Sequence, residues 1–554
     1  MIAHLKEITG IKRDIFFLLI IATLSYLLFF YNLGAWDLWG FDETRYAQVP
    51  KEMMEKEGWF LLHYNGEIYS DKPPLYFWFT VLSYKTFGEI TSFSARFPTA
   101  FAGALSLFVV YLIARMLFNP SVAFLSSIIL STTPLYLHLS RENHLDTTLL
   151  LFELLSIVFF IKVSLKGNKK TFFIILGYFF MGLGILTKGP VAIVISFLVI
   201  ISYSITFKEF ERLKILLNPF GWLILILVVG AWLVPACLMG GKEYTIDILF
   251  RQSFGRVTKY LGGSRPFYYF ILNFPAWFLP WTLFLPGAAI FSFTKKENNK
   301  QRLIFLFLWV ILVLLFFSIS KSKRDLYMLP SFPAAAIIVG FFLEKYIAGK
   351  LSYYFTKFIE IPLWILVWIG ISASLIFPAL LFAKKGIIAG YPIPYKISLP
   401  FSGIIFIGSF AIGILVSLKK TKGVFYALIL FIVISVLYAS QFIYPYFNQY
   451  KSAKPFCKQI THFLKPKDEL LIYGGFEPSP FNFYTGYSNI KIIRDKKSLC
   501  KILSLPKRYI VIMENDSYKE FTKAPCAKIY LLSTGMVGSR NLVVISNKPS
   551  IKKN

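Results

Sequence analysis

Leucine, isoleucine and phenylalanine recur in runs of roughly 18 or more residues with almost no charge, the length a helix needs to cross a bilayer at about 1.5 Å per residue. The pattern predicts about thirteen membrane spans. They centre on residues 15–31, 95–114, 121–139, 145–161, 171–187, 189–207, 217–238, 269–293, 303–319, 326–344, 359–382, 400–418 and 423–443. Two stretches break this pattern. Residues 36–78 form a polar loop in which Tyr46, Val49, Met53 and Met54 recur at helical spacing, so an amphipathic helix along the membrane surface is expected there. Residues 445–554 alternate short apolar strands (470–473, 490–493, 509–513, 529–532 and 542–545) with polar helical stretches such as 496–503, the pattern of a small α/β domain outside the membrane.

Composition excludes a soluble chain: 56% of residues are hydrophobic, 18% aromatic and only 16% charged. The net charge of +30 could suggest a nucleic-acid partner, but Lys and Arg left in cytoplasmic loops account for it. With the N-terminus inside, Arg115, Lys162–Lys170, Lys208–Lys214, Lys295–Arg302, Lys345–Lys357 and Lys419–Lys422 all fall on the cytoplasmic side. The first span, preceded by Lys6, Lys12 and Arg13, lacks a small-residue cleavage site and is expected to be retained. The expected division is a membrane domain at 1–444, with outer loops 32–94 and 239–268, and an extracytoplasmic domain at 445–554. Four cysteines make no disulfide framework; one bridge among Cys457, Cys500 and Cys526 could form.

The outer loops carry the chemistry. Arg251, Arg256, Lys259 and Arg265, and the turn Ser320-Lys321-Ser322-Lys323-Arg324-Asp325, put cations where topogenesis disfavours them. Phosphate is the obvious anion for them to hold, and lipid head groups are the plainer alternative. Asp42 and Glu43 open the first outer loop, Arg45 follows, and Lys72 stands in a proline-flanked turn. Asp146 begins the fourth span in an apolar setting, where a carboxylate is costly unless it faces a cavity, caps the helix or partners its N-terminal dipole. His63, His138 and His144 have no metal-ligand spacing, while Asp42 and Asp71 could share a divalent ion. No GxGxxG or P-loop motif and no internal repeat is present.

These motifs resemble a known family. The DETRYA block, YNGEIYSDKPPLYFW, SRENHLD, LTKGP at 186–190, FGR at 254–256, FLPW at 278–281 and SKSKRDLYMLPSFPA at 320–334 occur in the order of aminoarabinose transferase-like and protein-mannosyltransferase-like enzymes of the GT-C superfamily. The resemblance implies a polyprenyl monophosphate sugar donor, an inverting transfer and an active site on the extracytoplasmic side of a bacterial inner membrane. It assigns Asp42 and Asp146 as the two acids, with Asp42 the first choice for a base. It also matches Arg45, Lys72 and Tyr327, and the phosphate leaving group's need for charge neutralisation adds Arg256 and Lys323 or Arg324 to Arg45 and Lys72 at the donor phosphate. Glu43, Tyr46, Tyr69, Asp71 and the tail residue Glu477 become further substrate contacts. The acceptor it implies is a lipid A, core-sugar or other glycan, with protein as the alternative. No nucleic-acid or obligate protein partner is implied.

Two other classes compete. A transporter or flippase for an anionic lipid-linked substrate would place polar or broken helices in paired spans near the bilayer centre. Here the acids cluster at one boundary instead. A scaffold for the tail domain leaves Asp42, Lys72 and Asp146 without a purpose.

Overall fold

The computed structural model describes residues 2–163, 170–251, 265–294, 297–383, 386–388 and 391–549. Arg256, Lys259 and the FGR triplet lie outside them. Each of the thirteen expected spans coincides with helix. Among the described residues nine helices are long and apolar enough to cross a membrane, or ten if the bent pair Tyr269–Trp277 and Trp281–Ser292 is one span. The remaining expected spans are shorter helices, including Pro120–Ser131 and Val191–Phe207. Two helices bound the range of environments. In the most apolar window of Asp325–Ile347, 89% of residues are buried inside the protein, against 17% for Tyr353–Ala383. The first is the packed centre of the bundle; the second turns Trp368, Ile369 and Leu375 outward, as a face solvated by lipid does.

The first helix, α1 (Ile2–Ser25), leads through a wider turn at Tyr26–Phe30 into the polar loop. There α2 spans Gly40–Lys56, and a two-stranded hairpin pairs His63–Tyr64 with Glu67–Ile68. Next come α3 (Leu75–Phe87), α4 (Ser92–Leu117), α5 (Pro120–Ser131), α6 (Pro134–Leu139), α7 (Asp146–Lys162) and α8 (Lys170–Lys188). The expected amphipathic helix is present as α2, with its apolar residues covered by protein. Tyr46, Val49 and Met53 of α2 bury against Tyr69, Tyr76, Phe77 and Val81, and its other side carries hydrogen bonds to the tail. With protein on both sides, the periodicity that suggested a membrane-facing stripe faces the α3 core instead.

The tail folds as expected, with a five-stranded sheet in the order Lys491–Ile493, Glu469–Tyr473, Tyr509–Glu514, Arg540–Ser546, Tyr530–Val537. The first three strands are parallel and the last two antiparallel. Helix Lys496–Leu503 matches the expected segment. The helical run that contains the last span continues to Lys451, past the expected division at Tyr444. Cys500 and Cys526 form the disulfide, while Cys457 is buried and free.

Candidate active site

Gly40, at φ 72°, admits a left-handed turn that aims the first turn of α2 inward. The two acids of that turn then part company. Glu43, 2% exposed, accepts Arg96 Nε at 2.8 Å and Nη2 at 3.0 Å, and the backbone amides of Trp39 at 2.7 Å and Asn143 at 2.9 Å. Arg96 spends its other donors on the carbonyls of Leu33, Trp36 and Asp37, and its guanidinium lies 4.4 Å from the Trp36 ring centre. A fully satisfied buried pair of this kind locks loop geometry. The substrate contact expected for Glu43 is therefore replaced by a positioning role, because both carboxylate oxygens are already engaged.

Asp42 points the other way. One carboxylate oxygen pairs with Arg45, and the other accepts Arg324 Nη2 at 2.7 Å. Arg324 comes from 282 residues along the chain. Burial alone would raise the Asp42 pKa, yet the charges of His144, Arg324 and Arg45 outweigh it and hold the carboxyl well below the usual carboxylate range. Arg45 also lies 3.7 Å from Asp71, so a guanidinium stands between the two acids nominated for a divalent ion. Among the described residues no group of three His, Cys, Asp or Glu side chains is placed to hold a metal. The Nε of Arg45 is buried without a hydrogen-bond partner, an unused donor inside the site.

The second acid sits behind the first. The segment before α7 is clamped to α2 and α4: Asn143 Nδ2 donates to the Glu43 carbonyl at 2.8 Å, and Thr99 Oγ1 donates to the His144 carbonyl at 2.9 Å. Asp146, 5% exposed, pairs with Lys188 at the end of α8, and its Oδ2 lies 3.4 Å from His144 Nδ1. The N-cap of α7 is Leu145, so Asp146 is not the cap; it is the acid of the first helical turn, where it also meets the helix dipole. Burial opposes a charge on His144, but Asp146 prevails and raises the imidazole pKa above its ordinary value. The His144 ring meets Tyr46 edge-on with centroids 5.6 Å apart, tying the two carboxylate centres together. Lys188 lies 5.2 Å from the Tyr327 ring centre, and Tyr327 stacks on Phe317.

The other expected residues divide. Tyr69 packs edge-on against Tyr64 and Phe77, and Lys72 is 7% exposed immediately after Asp71. Glu477 reaches the site from the tail, accepting Tyr64 Oη at 2.6 Å and contributing its charge at Arg45. Lys323, expected at the donor phosphate, instead donates to the carbonyls of Ser320 and Arg265 and ties the two outer segments together. Lys188 and His144 had no assigned role. A lysine closing an apolar run before Gly-Pro was the signal for the first. The second takes its place from Asp146 two residues on and from the Tyr46 ring on another helix, and only the latter contact is hidden from the sequence.

Residues 71–238 match the family model described as dolichyl-phosphate-mannose-protein mannosyltransferase. A protein of Aquifex aeolicus named only as uncharacterized is 30% identical over 481 residues, covering 86% of this chain and 88% of that one. An undecaprenyl phosphate-alpha-4-amino-4-deoxy-L-arabinose arabinosyl transferase 2 of Proteus mirabilis is 30% identical over 363 residues, 64% of each chain. The chain belongs to the aminoarabinose transferase-like GT-C membrane glycosyltransferases. Its alignment to the named arabinosyl transferase of Proteus mirabilis spans just under two thirds of that enzyme's length. In this GT-C member the fold likeness is longer than the sequence likeness. The crystal structure of ArnT from Cupriavidus metallidurans bound to undecaprenyl phosphate superposes with a TM-score of 0.77 at 21% identity, covering 96% of this chain and 98% of that one.

Proposed function

We propose that this GT-C member transfers a sugar from a polyprenyl monophosphate carrier to a lipid or glycan acceptor, with inversion, at an active site on the extracytoplasmic face. The observation that carries the reading is Asp42 held between Arg45 and Arg324, beside the Asp146–Lys188 pair. A resting carboxylate so strongly stabilised is a weak base. A donor phosphate competes with it for the same guanidiniums, through charge-assisted bonds that also engage the unused Arg45 Nε. As Arg324 and Arg45 turn to the phosphate, Asp42 loses its stabilising charges and gains basicity. With a hydroxyl acceptor it then takes the acceptor's proton as that oxygen attacks the anomeric carbon, while the sugar–phosphate bond breaks and its electrons leave on the phosphate; an acceptor phosphate, already ionised, attacks without a base and leaves the acids to orient it. Lys72, Lys188 and Arg256 add charge to that leaving group.

The relatives named as arabinosyl transferases carry undecaprenyl phosphate in their names, which supports the donor class. A lipid A phosphate or core sugar is the acceptor we favour. The match to a protein-mannosyltransferase model favours a protein hydroxyl as the second reading. We assign the division at 1–444 and 445–554, and the outward orientation, on two grounds. Lys and Arg gather at the helix ends away from the site. The tail, which contributes Glu477, also holds the Cys500–Cys526 disulfide, a bond typical of oxidising compartments.

The test is turnover by purified full-length protein with short-chain polyprenyl phosphate sugars and candidate acceptors. With a hydroxyl acceptor, Asp42→Asn should lower kcat by roughly 100-fold or more. Full turnover by Asp42→Asn together with Lys188→Ala would sink the proposal.

A further inference from the structure

Away from the active site, α1, α5 and the Thr421–Tyr438 helix leave an apolar groove between them. It has a cavity volume of about 520 Å³ and is walled by Phe16, Leu19, Leu24, Leu27, Ile429 and Val433, among others. Phe16 and Leu19 are exposed to its open side. From Phe16 to Leu27 the groove rises about 16 Å at the helical repeat. That is close to half of the ~30 Å hydrocarbon core, the depth of a single leaflet.

Its Phe16 end carries charge. Lys12 stands four residues before Phe16, and Lys422 four before Tyr426, another wall residue. Each is therefore one turn beyond the groove, where Arg13, Lys419 and Lys420 join them, all exposed. The nearby acid, Asp14, is already engaged by Arg115 at 3.2 Å and by the Tyr111 hydroxyl. Arg13 donates to Ser121 of α5 and lies 5.3 Å from the Phe17 ring centre, which anchors one cation at the mouth. Among the described residues no carboxylate pairs with Lys12, Lys419, Lys420 or Lys422.

We infer that this groove is a binding site for one anionic phospholipid of the leaflet opposite the active site, its acyl chain between α1 and the Thr421–Tyr438 helix and its phosphate on the lysine cluster. The groove's length suits an ordinary acyl chain and is too short for a polyprenyl chain. The clustered cations select an anionic head group over a zwitterionic one.

Native mass spectrometry of the delipidated full-length protein, titrated with phosphatidylglycerol and with phosphatidylcholine, tests this without reference to catalysis. One equivalent of phosphatidylglycerol should bind at least tenfold more tightly than phosphatidylcholine. Lys12→Ser with Lys422→Ser should erode that preference by about fivefold per lysine. Leu24→Trp, which fills the groove, should remove the equivalent while leaving the lysines in place. Equal binding of the two lipids by the unaltered protein would overturn the inference. So would a preference that survives the double lysine change, or competitive displacement of phosphatidylglycerol by undecaprenyl phosphate.

Discussion

Asp42 and Glu43 are neighbours on one helical turn, yet they belong to different parts of the protein. Glu43 faces into the bundle, where Arg96 and two backbone amides use both its oxygens. Asp42 faces outward with 22% of its side chain exposed, bound to cations from its own helix and from a distant turn. One carboxylate is enclosed by the loop it joins to Arg96, and the other stands between two cations at the site where we propose the donor phosphate binds. Adjacent identical charges therefore differ in surroundings through the direction of their side chains.

The contrast breaks most dramatically in stability. Arg96→Ala leaves Glu43 buried without its counter-ion and should cost about 3–5 kcal/mol. Thermal unfolding in detergent should register this as a large fall in Tm, and an unchanged Tm would place Glu43 in the solvated class with Asp42. Asp42→Asn should leave Tm within a few degrees of the parent while abolishing most turnover with a hydroxyl acceptor. A Tm loss matching that of Arg96→Ala would erase the distinction.

A pH profile sharpens it further. The folded chain depresses the Asp42 pKa, so the stability from its ion pairs is present above the unfolded value and is lost only as pH falls through the lower folded value. Arg324→Ala removes one of the charges responsible. It should therefore raise the folded pKa, moving the acid limb of kcat/KM to higher pH and raising the apparent donor KM about tenfold. An acid limb that stays in place would mean that Asp42 does not titrate in catalysis. The smallest effect is expected at the tail contact. Ser479 Oγ donates to the Phe41 carbonyl at 2.9 Å and lies 3.0 Å from Thr44 Oγ1. Ser479→Ala should cost about 1 kcal/mol, seen as a slight drop in Tm with kcat nearly intact.

Much of this architecture was legible in the order of residues. Apolar runs long enough to span a bilayer admit few folds, so the helices fell where hydropathy placed them, and the tail strands fell close to their expected bounds. Asp42, Arg45, Asp71, Asp146, Arg324 and Glu477 were nominated from motifs and do converge. Glu43 and Lys323 were nominated on the same grounds, and the fold gives them other work. Lys188 and His144 were passed over.

The chain's own pattern determined that it is a membrane protein, where its helices run and which charged residues are out of place, because burial in lipid constrains every position along a span separately. Which acid meets two cations, which lysine pairs with Asp146 and which cation bridges two outer segments were decided by the tertiary structure alone. Those roles depend on direction and on neighbours up to 282 positions away, and a carboxylate's chemistry is set by the charges that surround it in space.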